Sequence, residues 1–181
     1  MRALHEVERS LGRLRPTVPA RPKRSLLSPF FRAAGVDGML APFMLETLIN
    51  PDLTGPERPI VLAHEWAHLS GYAPEDEASF VGVLTALGAD APSQYSAWLS
   101  LVFDTAALMP SAERQRLIDA LGEGPRRDQA AIVERLRRRV DVVQRASWVA
   151  YDGYLKSQGV DEGIQSYGGV VRLLIGSGRT P

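Results

Sequence analysis

A chain of 181 residues is long enough to bury one substantial core and short enough to need only one domain. Its 21 Lys and Arg balance its 21 Asp and Glu, so bulk charge gives no reason to expect a nucleic-acid partner. The absence of Cys excludes structural disulfides and thiolate metal sites, and it leaves the compartment and the oligomeric state open.

Residues 1–24 read as a separate N-terminal zone. Leu4, Val7, Leu11 and Leu14 make a short amphipathic stripe, and a Pro, Arg and Lys-rich linker runs from Arg15 to Arg24. Seven Lys or Arg face two Glu in this arm. One reading is a segment beside an anionic membrane surface; the other is a solvated arm. Residues 25–181 form the main domain. Gly35, Gly38, Pro42 and Pro51 break any long helix in its first part, so Met39–Ile49 reads as irregular or short extended structure, a hairpin being one form of it.

The next segment is the most informative. His64-Glu65-Trp66-Ala67-His68 stands inside an apolar stretch, with Pro59 suited to a helix start and Gly71 to a helix end. The spacing predicts a helix over about 59–70. Side chains four apart share a helix face, so both imidazoles can reach one zinc ion. Glu65 stands where it can take a proton from a zinc-activated water. That is the donor set of a zinc peptidase acting on a peptide or protein substrate. A third protein ligand is required, and the only other histidine, His5, is far upstream. After the turn Gly71-Tyr72-Ala73-Pro74 come Glu75, Asp76 and Glu77, in the first turn of a second predicted helix with Phe80, Val83, Leu84 and Leu87 on its apolar face. If that helix runs antiparallel to the first, one of these carboxylates reaches the metal. The wheel alone does not choose between Glu75 and Glu77.

Four more helices complete the expectation. Pro92–Met109 is apolar, but Asp104 interrupts it, and no stretch of the chain reaches the ~18–20 apolar residues of a membrane span. Ser111–Leu121 follows, with Ser111 as cap and Gly122 as stop. Pro125 to about Ser157 reads as one long amphipathic helix. Its Arg135–Arg139 run is interleaved with Leu136, Val140 and Val143, which favours a solvated face on a packed helix over nucleic-acid binding. A last helix begins at Asp161 or Glu162 and runs to about Ile175. The expected fold is mainly α (α+β), a helical zincin-like domain with a short irregular or β segment before the metal-binding helix.

Glu75-Asp76-Glu77-Ala78-Ser79-Phe80 resembles the Glu-x-x-Ala-Asp/Asn segment of gluzincins. The resemblance implies that Glu75 is the third zinc ligand and that Ser79, in place of the usual Asp or Asn, orients a ligand histidine. It also implies a strand beside the metal helix that pairs with extended substrate, with Glu46 near that cleft. The chain further resembles a bacterial family of usually membrane-tethered zinc-peptidase-like domains. The matching blocks are Gly38–Glu46, the motif with its Glu-Asp-Glu-Ala block, Tyr154–Gly159 and Ser166–Gly168, and they span most of the chain. That likeness implies a membrane tether ahead of the domain. Tyr167, then Tyr154, are the expected donors to a tetrahedral oxyanion, with Arg172 nearby in the cleft. The alternative to a peptidase is a catalytically silent zinc-binding or peptide-binding regulatory module. An intact Glu65 favours the enzyme.

Overall fold

The computed structural model describes residues 2–18, 21–23, 25–41, 44–157 and 169–178, apart from the side chains of residues 151 and 154–157. The protein is mainly helical with one small antiparallel hairpin. In chain order the elements are α1 (Arg2–Ser10), α2 (Ser28–Ala34), β1 (Gly38–Ala41), β2 (Glu46–Ile49), α3 (Arg58–Leu69), α4 (Glu75–Leu87), α5 (Ala91–Leu108), α6 (Ser111–Ala120), α7 (Glu123–Leu136), α8 (Asp141–Ser157) and α9 (Val170–Ser177). No helix among the described residues is long and apolar enough to cross a membrane.

The centre of the fold is the antiparallel pair α3 and α4. Gly71, at φ +88°, takes the left-handed conformation that ends α3 and turns the chain. Pro74, extended at ψ 138°, then launches α4. Small residues face one another along the seam: Ala67 packs with Ala78, and Ala63 with Ala86. Ser96 of α5 closes the start of α3. Its hydroxyl accepts from the Ile60 N–H and donates to the Pro56 carbonyl, which satisfies one of the orphan donors of a helix N-terminus. Helix α9 packs on α4 through Val170 and Leu174, which join Val83 and Leu101 in a second apolar cluster.

The segment before α3 is a hairpin, with Gly38 opposite Ile49 and Ala41 opposite Glu46. The Lys23 segment lies alongside β2: Lys23 N–H donates to the Thr47 carbonyl at 2.8 Å, and Ile49 N–H to the Lys23 carbonyl at 3.4 Å. Among the described residues nothing pairs with the outer edge of β1.

The expectations for the chain ends and for the second half need correction. The N-terminal zone is not a free arm. Leu4 is fully buried and packs with Ala67, Ala78 and Val81. Burial of a leucine side chain is worth roughly 1.5–3 kcal/mol, enough to hold a short helix that could not persist alone. Glu8, also buried, accepts from Thr17 N–H at 3.0 Å and from the Thr17 hydroxyl at 2.5 Å, which folds the start of the linker back on α1. The long helix expected over 125–157 is two helices. The Val140 N–H leaves the helical ladder and donates to the Ala33 carbonyl at the end of α2, 2.8 Å away, and α8 then restarts with Asp141 in its first turn. Ser111 opens α6 but makes no capping bond; Pro110 holds the cap position. Residues 161–168, where the last helix was expected to begin, lie outside the described residues, and α9 runs on to Ser177.

Candidate metal centre

His64 and His68 lie one turn apart on α3 and converge on the first residue of α4. His64 Nε2 is 3.1 Å from His68 Nε2, and Glu75 Oε2 is 3.2 Å from the former and 3.5 Å from the latter. The three side chains form a group able to hold a metal ion, their ligand atoms all within 4.8 Å of one another. Glu75 is fully buried, whereas Glu77 is exposed, so the geometry separates the two carboxylates.

What brings Glu75 there is the closeness of the two helices. Glu75, Ser79 and Gly82 follow at helical spacing on the α4 face that meets α3. A Cβ on Gly82 would lie 3.0 Å from both the backbone nitrogen and the Cα of His64. Only hydrogen at that position lets the backbones approach so closely. Ser79 Oγ then lies 3.2 Å from His64 Nδ1. On the other ring, His68 Nδ1–H donates to the Tyr72 carbonyl at 2.8 Å, in the turn between the helices. That bond fixes the tautomer and leaves the Nε2 lone pair of a neutral His68 directed toward His64 and Glu75.

The electrostatics follow from burial and proximity. Burial alone would raise the Glu75 carboxyl, but the hydrogen bonds and charges of His64 and His68 outweigh it and hold the group well below the usual carboxylate range. Burial likewise works against the charged form of His68, and the neighbouring Glu75 and Glu65 carboxylates overcome it and raise the imidazole. Glu65 is raised: burial dominates, partly countered by His64 and His68. Glu65 is 5% exposed and lies against β1, where a Cβ on Gly38 would be 2.6 Å from Glu65 Oε1.

The other expected site residues fall elsewhere. Glu46 stands at the opposite end of the hairpin ladder from Gly38 and is ion-paired with Lys23. Arg172 is exposed on α9. That helix nevertheless starts against Asp76, the residue after Glu75, since a Cβ on Gly169 would be 2.6 Å from Asp76 Oδ2. Tyr167 lies outside the described residues, and Tyr154 falls on α8 with its side chain outside them.

The sequence reading missed a second charged cluster close by. Arg135 is not on a solvated face. Its side chain is 9% exposed and binds both oxygens of Glu57, with the Nε bond at 3.0 Å, while its Nη1 lies 2.9 Å from Asp37 Oδ1. Asp37 directly precedes the Gly38 that touches Glu65. Burial raises Asp37, and the Arg135 charge opposes that. The one available signal was Arg135 itself, the member of the arginine run one residue before apolar Leu136.

One family model matches residues 1–175, under the description "Protein of unknown function (DUF3810)". The chain belongs to that family. The family match begins at residue 1 and so runs through the boundary expected after residue 24, in keeping with the packing of α1 on α4. No curated protein and no solved structure matches the chain.

Proposed function

We propose that this member of the DUF3810 family is a zinc-dependent metallopeptidase, with His64, His68 and Glu75 as zinc ligands and Glu65 as general base. One observation carries the reading. The triangle of His64 Nε2, His68 Nε2 and Glu75 Oε2 has edges of 3.1, 3.2 and 3.5 Å. A tetrahedral zinc with bonds of ~2.0–2.1 Å needs ligand–ligand edges of about 3.3–3.4 Å. Two nitrogens and a carboxylate oxygen are the donors that zinc takes, and three of them leave one position for solvent or substrate.

A zinc ion so held would lower the pKa of a coordinated water and polarise a substrate carbonyl. The remaining steps belong to the protein. The Glu65 carboxylate accepts the proton of the attacking water and delivers it to the departing amine nitrogen. Its burial against Gly38 keeps bulk water away and strengthens that exchange. The open edge of β1, which begins at the same Gly38, offers backbone N–H and C=O groups to an extended peptide. Ser79 and the Tyr72 carbonyl hold the two imidazoles in place from behind.

The test combines metal analysis with cleavage of a peptide library by wild type and by Glu65→Gln. We expect one zinc per chain in both proteins and melting temperatures within a few degrees. Hydrolysis in the variant should fall by roughly 10²-fold or more, the usual worth of a positioned acid/base. Equal rates would remove Glu65 from the mechanism. Bound zinc in a wild type that cuts nothing would leave the site as a binding module.

A further inference from the structure

Helix α3 also lines a cavity with its other face. On the side away from Glu65 and the two histidines, Leu62, Ala63 and Trp66 line a cavity of about 670 Å³, partly open to solvent. That volume falls within the ~300–1,000 Å³ of small-molecule sites and is too small for a folded partner. Ile49 from the hairpin, Pro59 from α3 and Ala86 from α4 extend the apolar wall.

The polar part of the lining is strongly one-sided. Arg2, Lys23 and Arg58 contribute positive charge, and among the described residues Asp90 is the only acid in the lining. Asp90 is already engaged as the cap of α5, accepting from the Ser93 N–H and hydroxyl. Glu46 occupies Lys23. Arg58 donates to the Leu53 and Pro51 carbonyls at 3.2 and 3.0 Å, so its guanidinium is hydrogen-bonded but meets no carboxylate among the described residues. Three helices, α1, α3 and α5, begin at the cavity and only α4 ends there, which adds positive helix-end potential. Thr85 also lines the cavity. It is 4% exposed, and its hydroxyl has no hydrogen-bond partner among the described residues.

We infer that this cavity binds an amphipathic anion, a long-chain carboxylate whose chain lies on Leu62, Trp66 and Ala86 and whose head group meets Arg58 and Arg2. A guanidinium short of a counter-ion matches a planar carboxylate, and the apolar wall gives its chain a place out of water. An occupant would press on the side of α3 opposite the metal cluster. The inference uses none of the cluster's residues and stands whether or not the chain is a peptidase.

Calorimetric titration of the full chain tests it, with dodecanoate, dodecanol and inorganic phosphate as probes. Dodecanoate should bind saturably at one per chain, dodecanol at least tenfold more weakly, and phosphate undetectably. Arg2→Glu, at an exposed position, should weaken dodecanoate severalfold and leave dodecanol unchanged. Ala89→Phe, which puts a ring into the cavity from the turn after α4, should remove binding while circular dichroism stays that of wild type. If Ala89→Phe does not fold, Arg2→Glu still decides. Absence of saturable dodecanoate binding, equal binding of the alcohol, phosphate binding as tight as dodecanoate, or wild-type affinity in Arg2→Glu would overturn the inference.

Discussion

Two clusters of buried charge lie near one another and were built in different ways. In the α3–α4 seam, His64, His68, Ser79 and Glu75 come from one short stretch of chain folded on a five-residue turn. At the α7 junction, Asp37, Glu57 and Arg135 come from three distant places, and only the tertiary fold unites them. The seam gathers three groups that can share one cation. The junction supplies its own cation, Arg135, which contacts both carboxylates and offsets one of their two charges. A cluster that carries its counter-charge is a structural tie, whereas a cluster of lone pairs converging on one point has the form of a binding site.

The largest effect should come from the seam. Glu75→Ala removes one of the three proposed ligands, and it should abolish stoichiometric zinc at neutral pH by elemental analysis. Glu77→Ala, at an exposed position two residues on and on the opposite side of α4, should retain it. Metal loss from the Glu77 variant alone would place the ligand two residues on and break the geometric assignment.

The junction should answer in stability instead. Arg135→Met leaves the buried Glu57 carboxylate without its partner, and breaking a buried pair costs about 3–5 kcal/mol. Denaturant unfolding should read this directly. Adding Glu57→Gln and Asp37→Asn should recover much of the loss, because the uncompensated charge is then gone. A single variant as stable as wild type would mean that the junction is solvated and that the contrast with the seam is false.

The same contrast explains what could be read in the chain. The histidine pair, the acidic helix start and the turn between them are local, so spacing predicted two helices joined by a short turn, and the choice of Glu75 over Glu77 rested on the gluzincin resemblance. The hairpin was legible as a stretch of extended residues between breakers. The junction was not, because nothing near Arg135 in sequence indicates Glu57 or Asp37. The split of α7 from α8 was equally hidden: Val140 and Val143 continue an apolar helical pattern, and it is the Ala33 carbonyl of α2 that captures the Val140 N–H. Likewise the amphipathic stripe of α1 was visible, but not the hollow between α3 and α4 that takes Leu4. Gly82 stands in the middle of α4, where glycine weakens a helix, and its role appears only once His64 lies against it.

A smaller effect sharpens the account of the seam. Ser79→Ala removes the hydroxyl beside His64 Nδ1, a support whose loss typically lowers metal affinity by about 10–100-fold. Competition against a chelator should show the drop, and Ser79→Asn should restore part of it through a side-chain carbonyl. Unchanged affinity in the alanine variant would make the 3.2 Å contact incidental.

The smallest effect concerns a third kind of buried charge, one with neither converging histidines nor a cation. Asp104 on α5 has the Ser100 hydroxyl 3.5 Å from Oδ2, and burial pushes its carboxyl up to about 6. The unfolded chain ionises this group near its ordinary value of ~3.9, whereas the folded protein holds the proton to higher pH. Below both values each state is protonated and the group has no effect on folding. As pH rises from about 4 to 6 the unfolded state loses its proton first, so stability falls, and above the folded value the full penalty remains. A shift of this size corresponds to at most about 3 kcal/mol, reduced to about 1–2 kcal/mol by partial exposure. Asp104→Asn keeps the shape and removes the ionisation. It should therefore be more stable than wild type by that amount at pH 7.5, with the advantage shrinking toward zero by pH 4. Urea unfolding at four pH values between these limits measures the gap. A gap that does not change with pH would show that the asparagine acts through packing, and that Asp104 titrates like a solvated carboxylate.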